Sequence, residues 1–157
     1  MNSNLYRSLL NRVRNSKYTI TLALLFVLFT LPAQAANWVW MGELSDSSQT
    51  YVETETIKKV GGKVECWVTI NYPKAKFVEL TLGTNNKTYL SSVSFQEFDC
   101  MNRTVQVLEL THFSGSNRSG ESVKTVRANR GEGFSRVIPG SALEAMMMFV
   151  CKRSRPK

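Results

Sequence analysis

The chain of 157 residues carries 20 basic and 12 acidic side chains, for a formal net charge of +8. Four of the basic residues and none of the acidic ones precede residue 36, so residues 36–157 carry only +4. That balance does not indicate nucleic acid as a partner, and about 120 residues suffice for one apolar core but not for a two-domain enzyme with a cleft between lobes.

Residues 1–35 have the pattern of a cleavable secretory signal peptide. The basic residues of this segment are Arg7, Arg12, Arg14 and Lys17. They precede an apolar stretch at 20–31, and Ala33-Gln34-Ala35 supplies the small-residue A-x-A pattern of a cleavage site. We therefore predict that 1–35 is a signal peptide and that 36–157 is a single exported domain.

The same segment sets the compartment that we expect. A lipoprotein needs a cysteine directly after the apolar stretch, whereas the first cysteine here is Cys66, so we expect no lipid anchor. The alternative to cleavage is an uncleaved segment that would be the protein's only membrane contact, but the stretch at 20–31 is shorter than the ~20 residues of a membrane span. The expected location is the periplasm, the cell surface or the medium.

The first strands of the exported domain are predicted from alternation and turns. Trp38-Val39-Trp40-Met41 and Thr50-Tyr51-Val52-Glu53 flank a polar turn and indicate a hairpin. Residues 64–72 alternate as a half-buried strand, with Cys66 on its inward face. Pro73 is predicted to end that strand, and residues 74–86 to cross the surface as a loop.

Two later strands show matched irregularities. The apolar alternation within 89–100 changes parity near Gln96 and Glu97, and it changes again between Val107 and Leu108. A β-bulge produces such a change, so we predict a strongly twisted antiparallel pair joined by a tight turn at 99–103. The polar loop 114–120 is the best candidate for disorder, and 122–126 is predicted as an edge strand.

The last element is a helix with strong start signals. Ser141 is placed to cap it, with Glu144 as the second half of a capping box. The apolar residues at helical spacing are Leu143, Met146, Met147 and Val150. The expected fold class is α+β, an antiparallel sheet of five or six strands with one C-terminal helix packed on it.

The chain has three cysteines, and an exported protein reaches an oxidising compartment where disulfides form. If two of the cysteines pair, one thiol remains free. Cys66 is on the inward face of a strand, whereas Cys100 and Cys151 end a strand and a helix. We therefore predict a disulfide between Cys100 and Cys151. No C-x-x-C motif and no Cys/His cluster occurs in the sequence, so we expect neither a metal nor another cofactor.

No group of residues indicates catalysis. Glu53 and Glu55 are spaced to share a strand face, which an exposed strand explains better than a carboxylate dyad. His112, the single histidine, is placed to act as a base for Ser114 or Ser116, but no G-x-S-x-G motif accompanies it. An enzyme that uses His112 is therefore the weaker hypothesis.

The exported domain resembles the surface-adhesin protein E family of Gram-negative bacteria. The segments that carry the resemblance are Trp38-Val39, Thr50-Tyr51-Val52-Glu53-Thr54 with Ile57 and Lys58, Trp67-Val68-Thr69-Ile70-Asn71-Tyr72, Tyr89-Leu90-Ser91-Ser92-Val93, Glu97-Phe98-Asp99-Cys100, Ile138-Pro139-Gly140-Ser141 and Cys151. The resemblance covers most of 37–151 and implies a sheet covered by a helix, the 100–151 disulfide, no enzyme activity and a homodimer. It also implies binding to host matrix or serum proteins.

The function expected from these observations is that of an exported, non-catalytic binding protein of the cell envelope. Its partner would be a protein, such as a host matrix protein, or an anionic glycan. The basic residues proposed to meet it are Lys74, Lys76, Lys87, Arg103, Arg118 and Arg130. Two alternatives stay open: that these charges only solvate the surface, and that the protein is a periplasmic structural or accessory component with an envelope partner.

Overall fold

One antiparallel sheet accounts for most of the described residues, 36–79 and 86–154, of the computed structural model. The predicted signal peptide lies outside these residues. The strands are β1 (Trp38–Glu43), β2 (Gln49–Glu53), β3 (Lys58–Val60), β4 (Lys63–Glu79), β5 (Asn86–Asp99), β6 (Thr104–Phe113), β7 (Ser122–Arg127) and β8 (Ser135–Arg136). A short 3-10 turn, Ser116–Arg118, precedes β7, and helix α1 (Ala142–Arg153) follows β8.

The sheet order is β1-β2-β4-β5-β6-β7, with β3 paired to β4 and β8 paired to β6. The α+β class is confirmed, but the sheet has eight strands among the described residues where five or six were predicted. The extra strands are two and three residues long. Segments this short carry no measurable alternation, so only their pairing with β4 and β6 identifies them.

Strand β4 does not end at Pro73, and that prediction is wrong. Its pairing with β5 is interrupted between Asn71 and Lys76 and then resumes as far as Glu79. Proline lacks a backbone N–H, and here it falls inside the gap in the ladder, where no hydrogen bond is lost. Residues 74–79 of the predicted surface loop are therefore strand, and residues 80–85 lie outside the described part of the chain.

A bulge is present between β5 and β6, and its extra residue is on β6. Phe95 pairs with Glu109 and Gln96 pairs with Val107, which leaves Leu108 unpaired. The parity change in β5 has a different cause. The side chains of β5 alternate regularly between the two faces, but most of the apolar ones before Gln96 lie on one face and Phe98 after it lies on the other. Phe95 packs against Trp67, with ring centroids 5.0 Å apart, on the face opposite to buried Phe98.

Helix α1 begins as predicted and covers one face of the sheet. The Ser141 side chain accepts a hydrogen bond from the Glu144 N–H, and the Glu144 carboxylate accepts from the Gly140 N–H. Its buried residues are Met146, Met147 and Val150. The Cys100–Cys151 disulfide is confirmed and joins the end of α1 to the β5–β6 turn, with Cα atoms 6.0 Å apart.

The core lies between α1 and the face of the sheet that we call the helix face. Its buried strand residues are Val52, Val64, Cys66, Val68, Phe98 and Val105. Cys66 is fully buried and unpaired, as its inward position predicted, and burial raises the pKa of its thiol to about 12. The opposite surface of the sheet is called the outer face below. No helix of the described residues is both long and apolar enough to cross a membrane.

Candidate functional site

Strands β4 and β5 extend beyond the rest of the sheet as a two-stranded arm. The pairing of β2 with β4 stops at Asn71, and the pairing of β6 with β5 stops at Ser91. Beyond these residues β4 and β5 pair only with each other among the described residues, from Lys76 opposite Tyr89 to Glu79 opposite Asn86. We call residues 74–79 and 86–89 the basic arm. Its two outer strand edges have no paired strand among the described residues.

The basic arm carries three of the six predicted basic residues and an exposed phenyl ring. Lys74 and Lys87 are exposed and form no ion pair with any described residue. Lys76 binds Asp46 at 3.0 Å, where hydrogen bonds from Ser48 and then from Lys76 lower the pKa of the Asp46 carboxyl to about 2. Phe77 is 72% exposed. The arm therefore carries exposed positive charge and an exposed aromatic ring beyond the end of the neighbouring strands.

The other three predicted residues lie elsewhere in the fold. Arg103 follows β5 at the end opposite to the arm, and Asp99 lies twelve positions after Lys87 in that strand, a distance of about 40 Å. Arg103 forms an ion pair with Glu144 of α1. The structure therefore divides the predicted basic set into an arm of three and three separate arginines.

Arg130 neutralises a buried acidic pair. Glu65 and Glu97 are cross-strand neighbours on the outer face, and both are buried. Two carboxylates in that arrangement repel each other, and Arg130 binds both while Lys63 binds Glu97 at 2.7 Å. The Gln106 side chain holds the loop that carries Arg130 through the carbonyls of residues 129 and 132. Arg130 thus has a partner inside its own fold.

His112 is built into the sheet and does not meet the hydroxyls predicted for it. Its Nδ1 lies 2.8 Å from Ser92 Oγ, and its ring stacks on Tyr89 at 4.1 Å. Ser92 is only 3% exposed, and Ser114 Oγ instead accepts from the backbone N–H of residue 121. Burial, and then Lys124, lower the pKa of His112. The Ser92–His112 pair therefore packs within the sheet, with the Ser92 hydroxyl buried.

The remaining predicted acids and metal ligands also have structural surroundings. Glu53 is buried and accepts hydrogen bonds from the backbone N–H groups of Asn37, Glu55 and Thr56. It therefore closes a turn and forms no dyad with Glu55. No cluster of three or more metal-ligating side chains exists among the described residues.

The outer face also carries an aromatic surface that we did not predict from the sequence. Trp40 is 59% exposed and lies opposite Tyr51 in the β1–β2 ladder. Trp38 is on the same face, and the Arg118 guanidinium carbon lies 4.2 Å from its ring centroid. The alternation Trp38-Val39-Trp40 places both tryptophans on one face, and that signal was available in the sequence.

The loop predicted as the best candidate for disorder is held on this surface by hydrogen bonds. Asn71 Nδ2 donates to Asn117 Oδ1 at 2.6 Å, and the Asn117 N–H donates to Asn71 Oδ1 at 2.8 Å. The Arg118 N–H donates to Ser91 Oγ at 3.0 Å. Asn117 and Arg118 have φ angles of 53° and 65°, a left-handed conformation that costs a non-glycine residue on the order of 1 kcal/mol.

A shallow cavity of about 300 Å³ opens beside this loop. Its lining residues are Ser47, Gln49, Asn71, Tyr72, Pro73, Ser116 and Asn117. Side-chain amides and hydroxyls dominate the lining, so the cavity presents hydrogen-bonding groups more than apolar surface. It is continuous with the aromatic surface because the Tyr51 hydroxyl donates to Gln49 Oε1 at 2.9 Å.

Comparison with known proteins identifies a family and a fold. The family model described as surface-adhesin protein E matches residues 38–152. One solved structure of Haemophilus influenzae protein E aligns at 12% identity, a TM-score of 0.54, 79% of this chain and 92% of that chain. A second crystal form aligns at 11% identity and a TM-score of 0.54, over 79% and 95% of the two chains. No curated protein sequence matches significantly.

Proposed function

This chain belongs to the surface-adhesin protein E family, and from that premise we propose that it is an exported, non-catalytic binding protein of the bacterial cell envelope. Its partner in this proposal is an anionic protein surface, of the kind that host matrix and serum proteins present. The basic arm supplies the contact. The family assignment supports the class of function, and the geometry of the arm carries the choice of site.

The observation that carries the proposal is the combination of projection, charge and exposed apolar surface at one place. Lys74 and Lys87 have no ion-pair partner among the described residues, so binding an acid there breaks no ion pair of the described part of the chain. Phe77 is also exposed, but its pairing with Thr88, next to the pair of Val78 with Lys87, places its ring on the opposite face of the arm from Lys87. Protein interfaces combine apolar surface with polar and charged groups. The arm therefore fits a protein partner that presents acidic side chains to the lysines and apolar surface to Phe77.

The surroundings of His112, the residue considered as a catalytic base, support the proposal that the protein is not an enzyme. His112 stacks on Tyr89 and bonds to a serine that solvent does not reach. A hydroxyl that such a base activates must itself contact the substrate, and the burial of Ser92 does not favour that contact.

The test is binding of the purified protein to a panel of immobilised matrix and serum proteins, at low and at high salt. We expect saturable binding that weakens as salt rises, because exposed charges are screened. The variant Lys74→Glu with Lys87→Glu should bind about tenfold more weakly, since each reversal replaces an attraction with a repulsion at the interface.

A matched control distinguishes the arm from net charge alone. Lys58→Glu with Lys59→Glu makes the same charge change on β3, where both lysines are exposed, about 30 Å along β4 from the arm. This variant should bind within about twofold of wild type. Equal weakening by both variants would show that overall charge, and not the arm, governs binding. Absence of binding to every protein of the panel at low salt would refute the adhesin proposal.

A further inference from the structure

We propose that the outer face of the sheet at β1, β2 and the 3-10 turn is a binding site for an acidic saccharide, in which Arg118 binds the anionic group and Trp40 stacks on a sugar ring. The site does not include Lys74, Lys87 or Phe77. It is therefore separate from the contact proposed for the basic arm, and it is tested separately.

The guanidinium of Arg118 has the surroundings of an anion receptor. It is stacked over Trp38 and half-buried, and no carboxylate of the described residues forms an ion pair with it. Other well-placed arginines of the fold do have such partners, as Arg103 and Arg130 show. A guanidinium that lies over an aromatic ring keeps N–H groups at its edge available for a carboxylate or sulfate.

The backbone fixes this arginine before any ligand arrives. The Arg118 N–H is bound by Ser91, and the preceding residue is bound twice by Asn71. Residues 117 and 118 have left-handed backbone, and from there the Arg118 side chain reaches Trp38. Strained backbone held in place by hydrogen bonds is typical of ligand-binding loops. A preorganised guanidinium loses little side-chain freedom when it binds.

The adjoining cavity supplies groups for hydroxyl recognition. Gln49 accepts from Tyr51 through Oε1, which leaves its Nε2 as a donor at the cavity wall. Asn117 accepts through Oδ1, and within the described residues no acceptor binds its Nδ2. Both amides line the cavity of about 300 Å³, a size within the usual range of small-ligand sites. A ligand rich in hydroxyl groups satisfies these donors and acceptors.

The exposed indole of Trp40 provides a stacking surface next to these polar groups. Its π face carries partial negative charge, and the C–H bonds on one side of a pyranose ring present partial positive charge to it. Trp40 stays 59% exposed although it belongs to a paired strand. A protein partner would favour an apolar pocket for its anchoring side chain, whereas the cavity here is lined by amides and hydroxyls. The combination favours a saccharide.

The full chain is produced with its predicted signal segment, and the exported product is purified and titrated with saccharides. Binding is monitored by nuclear magnetic resonance of the tryptophan indole N–H groups. The chain has three tryptophans, so three signals report on binding, and substitution assigns each one. The probes are sialyllactose, a hyaluronan tetrasaccharide and neutral lactose. We expect one of the two acidic saccharides to bind saturably with its largest shift at Trp40, and lactose to bind at least about tenfold more weakly.

Variants test the two named contacts. Arg118→Gln should weaken binding of the acidic saccharide at least about tenfold, because it removes charge-assisted hydrogen bonds. Arg118→Lys keeps the charge without the planar fork and should fall between wild type and Arg118→Gln. Trp40→Ala should weaken binding about fivefold. Arg136→Gln and Met148→Ala, at exposed positions outside the site, should bind as wild type does. Thermal unfolding of each variant establishes that it is folded.

Three results would overturn the proposal. The first is the absence of saturable shifts with either acidic saccharide up to about 10 mM. The second is binding that Arg118→Gln leaves unchanged while the protein remains folded. The third is that the wild-type protein binds no saccharide and that Trp40→Ala loses binding to a protein of the panel. That result would assign this surface to a protein partner.

Discussion

The disulfide between Cys100 and Cys151 should contribute a large share of the stability of the domain. It closes a loop with a sequence separation of 51 residues. In the loop-entropy description a closure of that length removes about 14 cal/mol/K from the unfolded chain, or about 4 kcal/mol at 25 °C. Unfolding about 120 residues releases roughly 0.25 kcal/mol/K near the midpoint, so Cys100→Ser with Cys151→Ser should lower Tm by about 16 °C.

The assay is calorimetric unfolding of the wild type and the double variant, each with and without reductant. Reductant should lower the wild-type Tm to the value of the variant and should leave the variant unchanged. A fall of less than about 4 °C, or roughly 1 kcal/mol, would show that the disulfide is not a major source of stability. It would mean that packing of Met146, Met147 and Val150 holds α1 without the bond.

Three further predictions concern single side chains. Burial lowers the pKa of His112 below its ordinary 6.5, so the unfolded chain binds the proton more readily than the folded one. The free energy of unfolding should therefore fall as pH drops below about 6.5, and His112→Gln should reduce this dependence on pH in denaturation experiments. Because burial raises the pKa of Cys66 to about 12, a thiol reagent at pH 8 should label no cysteine in the native protein and one after unfolding without reductant; native labelling would contradict its burial. Ser141→Ala removes the α1 cap and should cost about 1 kcal/mol in urea denaturation, whereas an unchanged midpoint would show that the cap is dispensable.

The features that the sequence predicted correctly are those with local signals. The β1–β2 hairpin follows from alternation around a polar turn, and α1 follows from its cap and helical spacing. The disulfide was predictable because the two cysteines lie at the ends of regular elements in a chain that we predict to be exported. Each of these depends on residues near one another in sequence, or on the compartment.

The features that the sequence did not predict depend on long-range pairing. Pro73 is tolerated in β4 only because the ladder with β5 has a gap there, and no local pattern shows where such a gap lies. The ion pairs of Arg103 and Arg130 join residues 41 and 65 positions apart, so their charges appeared free in the sequence. The contact of Arg118 with Trp38 likewise forms only when the turn lies across the sheet.

Binding to host proteins requires that the domain is exposed at the cell surface or released, so access to externally added protease is the decisive test. Intact Gram-negative cells that produce the full chain are treated with a protease that cannot cross the outer membrane, with a periplasmic protein as the control. We expect the domain to be cleaved at the surface or recovered from the medium, while the control stays intact. Protection equal to that of the periplasmic control, lost only after permeabilisation, would contradict it and favour a periplasmic accessory role.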